Sequence, residues 1–292
     1  MPTAVATNES KVIKIALAKI GEIATLPEVT TKIIQIVDDP KSTARDLHNI
    51  IKNDPALATK ILKVVNSAFY GLPGQVSEID RAIVLLGLSA VKNIAISASI
   101  SRLFSGERIS EQFSAKDIWR HSVAVACATR AFCSVIGKKA FAEEAFLAGL
   151  IHDLGLLVQR QAYPEQLTEV IKIASKGDRS FCEIEKELIG ASHQSLGMAL
   201  AAKWKFPRGL QNVIGYHHRI DNLTEDTRLL PVIVYIADAL VCHEQIGFYL
   251  TAQGQPLDDT LLESVGLSEE AFNQVREELP EQLQTAEDML TG

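Results

Sequence analysis

The sequence is poor in cysteine, glycine and proline, and it has no excess of basic charge. Its 292 residues include four cysteines and no Cys-x-x-Cys pair, which predicts neither a disulfide framework nor a thiolate zinc site. There are 17 glycines and 10 prolines, below average usage, which argues against a loop-rich or disordered chain. Acidic residues outnumber basic ones 36 to 29, so the chain lacks the basic footprint of proteins that bind nucleic acids.

Long hydrophobic runs are absent as well. The longest nearly apolar run covers residues 82–91, about half the length that spans a bilayer. The first ten residues contain neither a cationic segment nor a long apolar one, so we expect no signal peptide. With cysteine thiols that are expected to be reduced and mostly buried, this predicts a cytoplasmic protein without a membrane partner.

Helical periodicity predominates, and the alternation typical of strands is nearly absent. Asp54-Pro55 predicts a helix start, because aspartate caps free N–H groups and proline is tolerated at the first helical position. Residues 232–240 could contain a short buried strand, but the apolar pattern continues at helical length and favours a helix. We therefore expect an all-α protein of about fourteen helices.

Further helix boundaries follow from local signals. Ser114 and Asp117 have capping-box spacing and predict the start of a long helix that reaches about Ile136 and is closed by Gly137. Pro207 predicts another helix start. A further helix is expected over residues 144–158, which are apolar nearly all round, as in a helix buried inside a domain.

Breaks in the pattern divide the chain into three parts. The polar segment 105–114 predicts the end of an N-terminal helical lobe, residues 1–108, and the start of a second lobe, residues 109–245. Residues 246–292 form an acidic C-terminal extension, which we expect to be a solvated helical segment. In the N-terminal lobe, residues 66–71 predict a helix end at which Gly71 takes the left-handed conformation. This motif is either a structural corner or, through Tyr70, part of a cleft between the lobes.

Histidines and aspartates fall on or beside the apolar stripes of the second lobe. An unpaired buried carboxylate is unfavourable, so it finds a partner, changes its pKa or binds a metal. Each histidine taken alone could be a core residue bonded to a backbone carbonyl. The residues expected to point inward together are His121, His152, Asp153, His193, His217, His218 and Asp238.

Imidazole and carboxylate without thiolate are donors that suit Fe, Mn, Co, Ni or Zn in a site with open positions. With this many ligands the site could hold one ion, or two bridged by Asp153. Such a site could activate water for attack on a phosphate ester. Trp119 and Trp204 are expected to be core residues rather than ligand contacts.

The order of these residues resembles the HD superfamily of metal-dependent phosphohydrolases. His121, His152-Asp153 and Asp238 carry that resemblance, and the remaining histidines are similar to the extra ligands of its two-metal HD-GYP branch. The N-terminal half resembles the HDOD family, the HD-related output domains. The segments that match are Leu26-Pro27, Val37-Asp38-Asp39-Pro40, Asp54-Pro55-Ala56-Leu57, Asn66-Ser67-Ala68-Phe69-Tyr70-Gly71 and Ala82-Ile83-Val84-Leu85-Leu86-Gly87.

The HDOD resemblance implies an HD-like helical bundle with an N-terminal lobe packed on an HD-like lobe. It also implies a bacterial signal-transduction module that acts mainly through contacts with signalling proteins in trans. The chain departs from active HD-GYP enzymes, since Leu156 stands where they carry a lysine and no Gly-Tyr-Pro follows His218. Two alternatives stay open: a metal-dependent phosphohydrolase with a phosphoester ligand, and a metal that only stabilises the fold.

Overall fold

Helices account for almost all regular structure in the part of the chain that the structure describes. The computed structural model describes residues 4–21, 26–37, 39, 41–104 and 108–291. These ranges contain sixteen α-helices and three short 3-10 helices. They contain no strand, only an isolated bridge between Arg108 and Ser114. The all-α prediction is confirmed; Asp38 and Pro40 of the quoted motifs lie outside the described residues.

The N-terminal helices are α1 (Ala4–Lys19), α2 (Glu28–Val37), α3 (Ala44–Ile51), α4 (Pro55–Val65), α5 (Ile79–Leu86) and α6 (Leu88–Ile100). The helices that follow are α7 (Ala115–Val135), α8 (Ala142–Ile151), α9 (Leu154–Ala162), α10 (Pro164–Ala174), α11 (Phe181–Leu188), α12 (His193–Lys203), α13 (Arg208–Tyr216), α14 (Glu225–His243), α15 (Asp259–Ser264) and α16 (Glu269–Thr291). The 3-10 helices are Ser101–Phe104, Lys139–Phe141 and Ile220–Asn222.

Helix starts lie where local capping predicts them. The Asp54 carboxylate accepts from the Leu57 N–H at 2.9 Å and caps α4. The Asp117 carboxylate accepts from the Ser114 N–H at 2.7 Å and completes a capping box at the start of α7. Helix α7 ends at Val135, and the nearby Gly137 has a φ of 77°. At both helix starts a carboxylate side chain accepts from an N–H group that has no partner within the helix.

The end of α4 differs from the prediction. Gly71 does have a positive φ of 56°, but it lies beyond the helix, whose C-cap is Asn66. The Asn66 side chain instead holds the loop: it accepts from the Val76 N–H and donates to the Val76 carbonyl, both at 2.7 Å. A side chain that pairs with backbone ten residues away closes this corner, so the glycine serves the loop and not the helix terminus.

The helix predicted over residues 144–158 is wrong as a single element. It divides at His152-Asp153 into α8 and α9, and Asp153 has a φ of −97° and a ψ of 20°. Consecutive residues of an unbroken helix do not face the same direction. The interruption therefore allows His152 and Asp153 to face one point. It also accounts in part for the number of helices, which exceeds fourteen.

Helix α7 lies at the centre of the second lobe and packs against α8, α14 and α16. Helix α6 packs against α2, which precedes it in residues 1–108, and against α8, which follows in residues 109–245. One continuous cluster of buried apolar side chains runs through both lobes, and Trp119 and Trp204 are buried within it. None of the helices in the described ranges combines the length and apolar character needed to cross a membrane.

Candidate metal centre

The structure brings all the predicted site residues to one point in the second lobe. Six of the seven side chains are fully buried, and the His218 side chain is 6% exposed. They come from five separate parts of the chain: the middle of α7 (His121), the junction of α8 and α9 (His152 and Asp153), the first residue of α12 (His193), the C-cap of α13 and its neighbour (His217 and His218), and the middle of α14 (Asp238).

One half of the centre, called subsite A, consists of His121, His152, Asp153 and Asp238. The Nε2 atoms of the two histidines are 3.3 Å apart. His121 Nε2 lies 3.1 Å from Asp238 Oδ1, and His152 Nε2 lies 3.3 Å from Asp153 Oδ2. Two ring nitrogens and two carboxylate oxygens therefore lie close together in this half of the centre.

The other half, subsite B, consists of Asp153, His193, His217 and His218. Asp153 Oδ1 lies 3.3 Å from His193 Nε2 and 3.5 Å from His217 Nε2. Ligand atoms of all four residues lie within 4.8 Å of one another. Asp153 thus presents one carboxylate oxygen to each subsite, which is the arrangement of a carboxylate that bridges two ions.

Hydrogen bonds at Nδ1 fix which ring nitrogen faces the centre. His152 Nδ1 donates to the Gly149 carbonyl at 2.6 Å, and His217 Nδ1 donates to two carbonyls of α13 at 3.1 Å. His193 Nδ1 donates to the Glu185 carboxylate at 2.9 Å. A neutral imidazole that carries its proton on Nδ1 presents a lone pair at Nε2. The Nε2 atoms of all three rings therefore face the centre, and each offers a lone pair when its ring is neutral.

Glu185 is a functional candidate that the sequence analysis missed. It is fully buried, accepts from the Gln159 amide at 2.7 Å, and contacts both the backbone N–H and the ring of His193. A carboxylate behind a histidine is the usual outer-shell partner of a metal ligand. The available signal was its place on the inward face of α11, one turn after Phe181.

Burial and charge set the protonation of the cluster. Burial by itself lowers the pKa of His152, but the neighbouring Asp153 and Asp238 carboxylates raise it to about 9. Burial by itself raises the pKa of Asp153, but His152, His217 and His193 hold it well below its usual range. Burial lowers the pKa of His217 and, further, that of His218. The carboxylates are therefore charged, His217 and His218 are neutral, and a metal ion has to displace a proton from His152.

Several buried ligand atoms have no hydrogen-bond partner among the described residues. They include both carboxylate oxygens of Asp153, Oδ2 of Asp238 and Nε2 of His218. Buried unpaired charge is strongly unfavourable. A divalent cation would remove that penalty, so the residues present fit a metal centre.

The donor set indicates the class of metal. Ring nitrogens and carboxylate oxygens suit Fe, Mn, Co, Ni or Zn. Cys242 does not add a thiolate: its thiol donates to Asp238 Oδ1 at 3.4 Å, and burial raises its pKa well above the usual range. The interpretation of these histidines as core residues bonded to carbonyls holds for Nδ1 of His152 and His217 but does not account for their Nε2 atoms, each of which lies 3.3 Å from another ring nitrogen of the cluster.

Comparison with known families gives the same fold. The HDOD domain pattern matches residues 23–220. The chain belongs to the HDOD domain family. The HDOD match includes six of the seven clustered residues, and Asp238 lies beyond its end. The cluster is therefore completed by α14, which the matched segment does not contain.

Individual HDOD relatives are distant in sequence. An uncharacterized protein of Treponema pallidum (strain Nichols) is 26% identical over 234 residues, which are 79% of this chain but only 44% of that protein. An HDOD domain protein of unknown function from Geobacter sulfurreducens has a TM-score of 0.79 at 20% identity, over 96% of this chain and 98% of that one. A candidate phosphohydrolase from Shewanella amazonensis SB2B has a TM-score of 0.71 at 22% identity, over 94% and 98%. These two structures establish the fold.

Proposed function

We propose that this chain is a regulatory HDOD module of bacterial signal transduction, with a divalent transition metal held in its HD-like lobe. The observation that carries the proposal is the Asp153 carboxylate, whose Oδ2 faces His152 Nε2 and whose Oδ1 faces the Nε2 atoms of His193 and His217, at 3.3–3.5 Å. When bound, the metal supplies positive charge that neutralises the buried carboxylates, and Lewis acidity. His121, His152, Asp153 and Asp238 would hold a first ion; Asp153, His193, His217 and His218 would hold a second.

A regulatory role is supported by where the centre lies in the fold. Helix α8 ends next to His152 and packs against α6 of the N-terminal lobe. A change in metal occupancy at the end of α8 would therefore act on the surface between the lobes. The buried Leu156, at the position of the HD-GYP lysine, favours regulation over turnover. We propose that the module acts on signalling proteins in trans through its helical surfaces.

Elemental analysis of the purified protein tests the metal. We expect one or two equivalents of transition metal per chain after growth with added iron and manganese. The His152→Ala/Asp153→Ala double variant should lose the metal, because it removes ligands from both subsites. The matched control is His48→Ala/Asp80→Ala, which removes an exposed histidine–aspartate pair that is 2.9 Å apart in the N-terminal lobe.

Two results would contradict this proposal. A wild-type protein that stays free of metal after such growth would remove the metal centre. Metal-dependent turnover of a phosphoester that disappears in the His152→Ala/Asp153→Ala variant would replace the regulatory role with an enzymatic one. Metal content and phosphoester turnover are measured on the same preparations. The first measurement tests the metal centre, and the second tests the regulatory role.

A metal-dependent phosphohydrolase is the second candidate, and one observation favours it. A groove of about 390 Å³ is lined in part by His218, so the centre has an approach from the surface. An HD-type phosphodiesterase or phosphatase would use that approach for its phosphoester. Release of p-nitrophenol from bis(p-nitrophenyl) phosphate and p-nitrophenyl phosphate, with Mn²⁺ or Fe²⁺ added, tests this candidate. Equal release by the wild type and the double variant would exclude it.

A further inference from the structure

The groove beside subsite B has a floor and a cover from different parts of the chain. Its floor includes Gln194 of α12 and the pair His218-Arg219 after α13. Residues 251–256 of the C-terminal extension cover it. Gln255 holds the cover to the floor, because its amide oxygen accepts from His218 Nδ1 at 2.8 Å. That hydrogen bond leaves the other ring nitrogen of His218 as a lone pair, so this histidine joins the groove to the metal centre.

Gln194 is buried at the floor of the groove with its polar atoms unsatisfied. The residue is 1% exposed, and neither its amide nitrogen nor its amide oxygen has a hydrogen-bond partner among the described residues. Buried side-chain amides are nearly always paired, and an unpaired one marks a ligand, an ordered water or a functional strain. Gln194 and His218 both line the groove, so the amide belongs to the same site as this ligand of subsite B.

Arg219 is fixed by two contacts but keeps an unpaired hydrogen-bond donor. Its Nη2 donates to the Gly215 carbonyl at 3.0 Å, and its guanidinium lies 5.7 Å from the centre of the Tyr216 ring. Its Nε has no hydrogen-bond partner among the described residues. These contacts orient the guanidinium and leave a donor free. A guanidinium with a free donor and a fixed plane is well suited to bind an oxyanion.

Charge and size narrow the ligand class. Lys186 and Arg219 are the cationic side chains that line the groove, and Glu183 is the acidic one. The net field therefore favours an anion. A volume of about 390 Å³ lies near the lower end of small-molecule sites. The tetrahedral oxygens of a phosphoryl group reach several donors at once, whereas a carboxylate has only two oxygens in one plane.

We propose that this groove binds the phosphoryl group of a small phosphomonoester, held by the Arg219 guanidinium and the Gln194 amide beside His218. The inference rests on the proposed function, because a bound metal neutralises carboxylates of the adjacent centre that would otherwise repel a phosphate. Gln194 also offers an acceptor, so the preferred ester carries a hydroxyl or amino group near its phosphate. The unpaired atoms of Gln194 and Arg219 are buried. Residues 251–256 therefore have to move before a phosphate can reach them.

Calorimetric titration of the metal-loaded full chain tests the groove. The probes are inorganic phosphate and phenyl phosphate, with acetate as the planar anion for comparison. We expect saturable binding of both phosphates and at least tenfold weaker binding of acetate. Arg219→Gln and the nearly isosteric Gln194→Leu should each weaken phosphate binding at least tenfold. Arg45→Gln, at an exposed arginine of α3, should leave it unchanged.

The outcomes separate this inference from the proposed function, because the metal content of each sample is measured as well. If metal-loaded protein does not bind phosphate, or if all variants bind it equally, the proposal of phosphate binding in the groove is wrong. The metal proposal is not affected by that result. Protein that takes up no metal but binds phosphate through Arg219 and Gln194 supports the groove proposal and contradicts the metal proposal. Thermal melting verifies that the variants fold; if Gln194→Leu does not, Arg219→Gln alone decides.

Discussion

His193 and His217 point their Nε2 atoms at each other across 3.3 Å, although each carries its proton on the opposite nitrogen. His193 Nδ1 donates to the Glu185 carboxylate, and His217 Nδ1 donates to carbonyls of α13. Two lone pairs at this distance repel each other unless a proton or a cation lies between them. The pair is therefore arranged for a positive charge at subsite B, with Asp153 Oδ1 as the third donor.

Replacing Glu185 should weaken metal binding without removing a ligand. In Glu185→Gln the carboxylate charge that makes His193 a stronger donor is lost, while an acceptor for its Nδ1–H is kept. Loss of an outer-shell partner commonly lowers metal affinity about 10- to 100-fold. Competition with a chromogenic chelator measures the change. We expect only part of the metal to be affected, because subsite A has its own ligands.

Glu187→Gln is the matched control for this measurement. Glu187 lies on the same helix, is exposed and pairs with Arg179 at 2.6 Å. It should leave metal affinity unchanged. Equal affinity for wild type and Glu185→Gln would show that Glu185 supports the fold and not the metal.

Removal of metal should lower the thermal stability of the protein. An ion that binds only the native state stabilises it by about 2.7 kcal/mol at a free concentration one hundred times its Kd. For a chain of this size that corresponds to a fall in Tm of about 4–5 °C when EDTA is added. Scanning calorimetry with and without EDTA gives the shift. The His152→Ala/Asp153→Ala variant should show none, and an unchanged wild-type Tm would mean that no ion supports the fold.

The sequence predicts those features that depend on neighbouring residues. The starts of α4 and α7 follow from Asp54 and from Ser114 with Asp117, whose side chains cap helices within three residues of themselves. The division between α8 and α9 was not predicted, because it accompanies a close approach between Gly155 and α12, almost forty residues away. Local periodicity contains no information about that distance.

The same distinction holds for the candidate site. Polar residues on apolar stripes identify the seven clustered side chains, because burial of such groups is unfavourable unless they meet. Glu185 was missed, since a glutamate on an amphipathic helix is ordinarily on the solvent side. Its role becomes visible only when α11 is packed against the start of α12.

Gly155 should tolerate no side chain. A Cβ at this position would lie 1.8 Å from the His193 carbonyl oxygen and 2.8 Å from its Cα. Helix α9 and the first turn of α12 would have to separate, which moves His193 out of subsite B. We expect Gly155→Ala to destabilise the protein by about 3 kcal/mol or more and to reduce its metal content. Urea unfolding and elemental analysis measure these effects.

Gly209→Ala provides the comparison for this substitution. Gly209 lies in α13, and a Cβ there would approach only Glu144 Oε1, at an ordinary 3.8 Å. Since alanine favours helix over glycine, this change should be neutral or stabilising by up to about 1 kcal/mol. If Gly155→Ala were equally harmless, the close contact between α9 and α12 would not be required for the site.

Tyr70 should contribute to stability through a contact between the two lobes. Its hydroxyl donates to Glu143 Oε2 at 2.7 Å, and Glu143 also pairs with Arg130 at 3.1 Å. Tyr70 therefore links the corner after α4 to the start of α8. Tyr70→Phe removes a hydrogen bond to a charged acceptor and should lower the free energy of unfolding by about 1–2 kcal/mol. Tyr249→Phe, which removes a hydroxyl without a hydrogen bond in the described structure, is the control.

The effect of Tyr70→Phe should also depend on pH in one direction. Burial, and next the Glu143 carboxylate, raise the pKa of Tyr70 well above its ordinary value of 10.0. A folded-state pKa above the unfolded one means that this contribution is complete below pH 10 and declines as the pH rises further. The difference between wild type and Tyr70→Phe should therefore be constant from pH 7 to 9 and smaller at pH 10.5. A difference that grows above pH 10 would show that the hydroxyl ionises readily in the folded protein, which the contact with Glu143 does not allow.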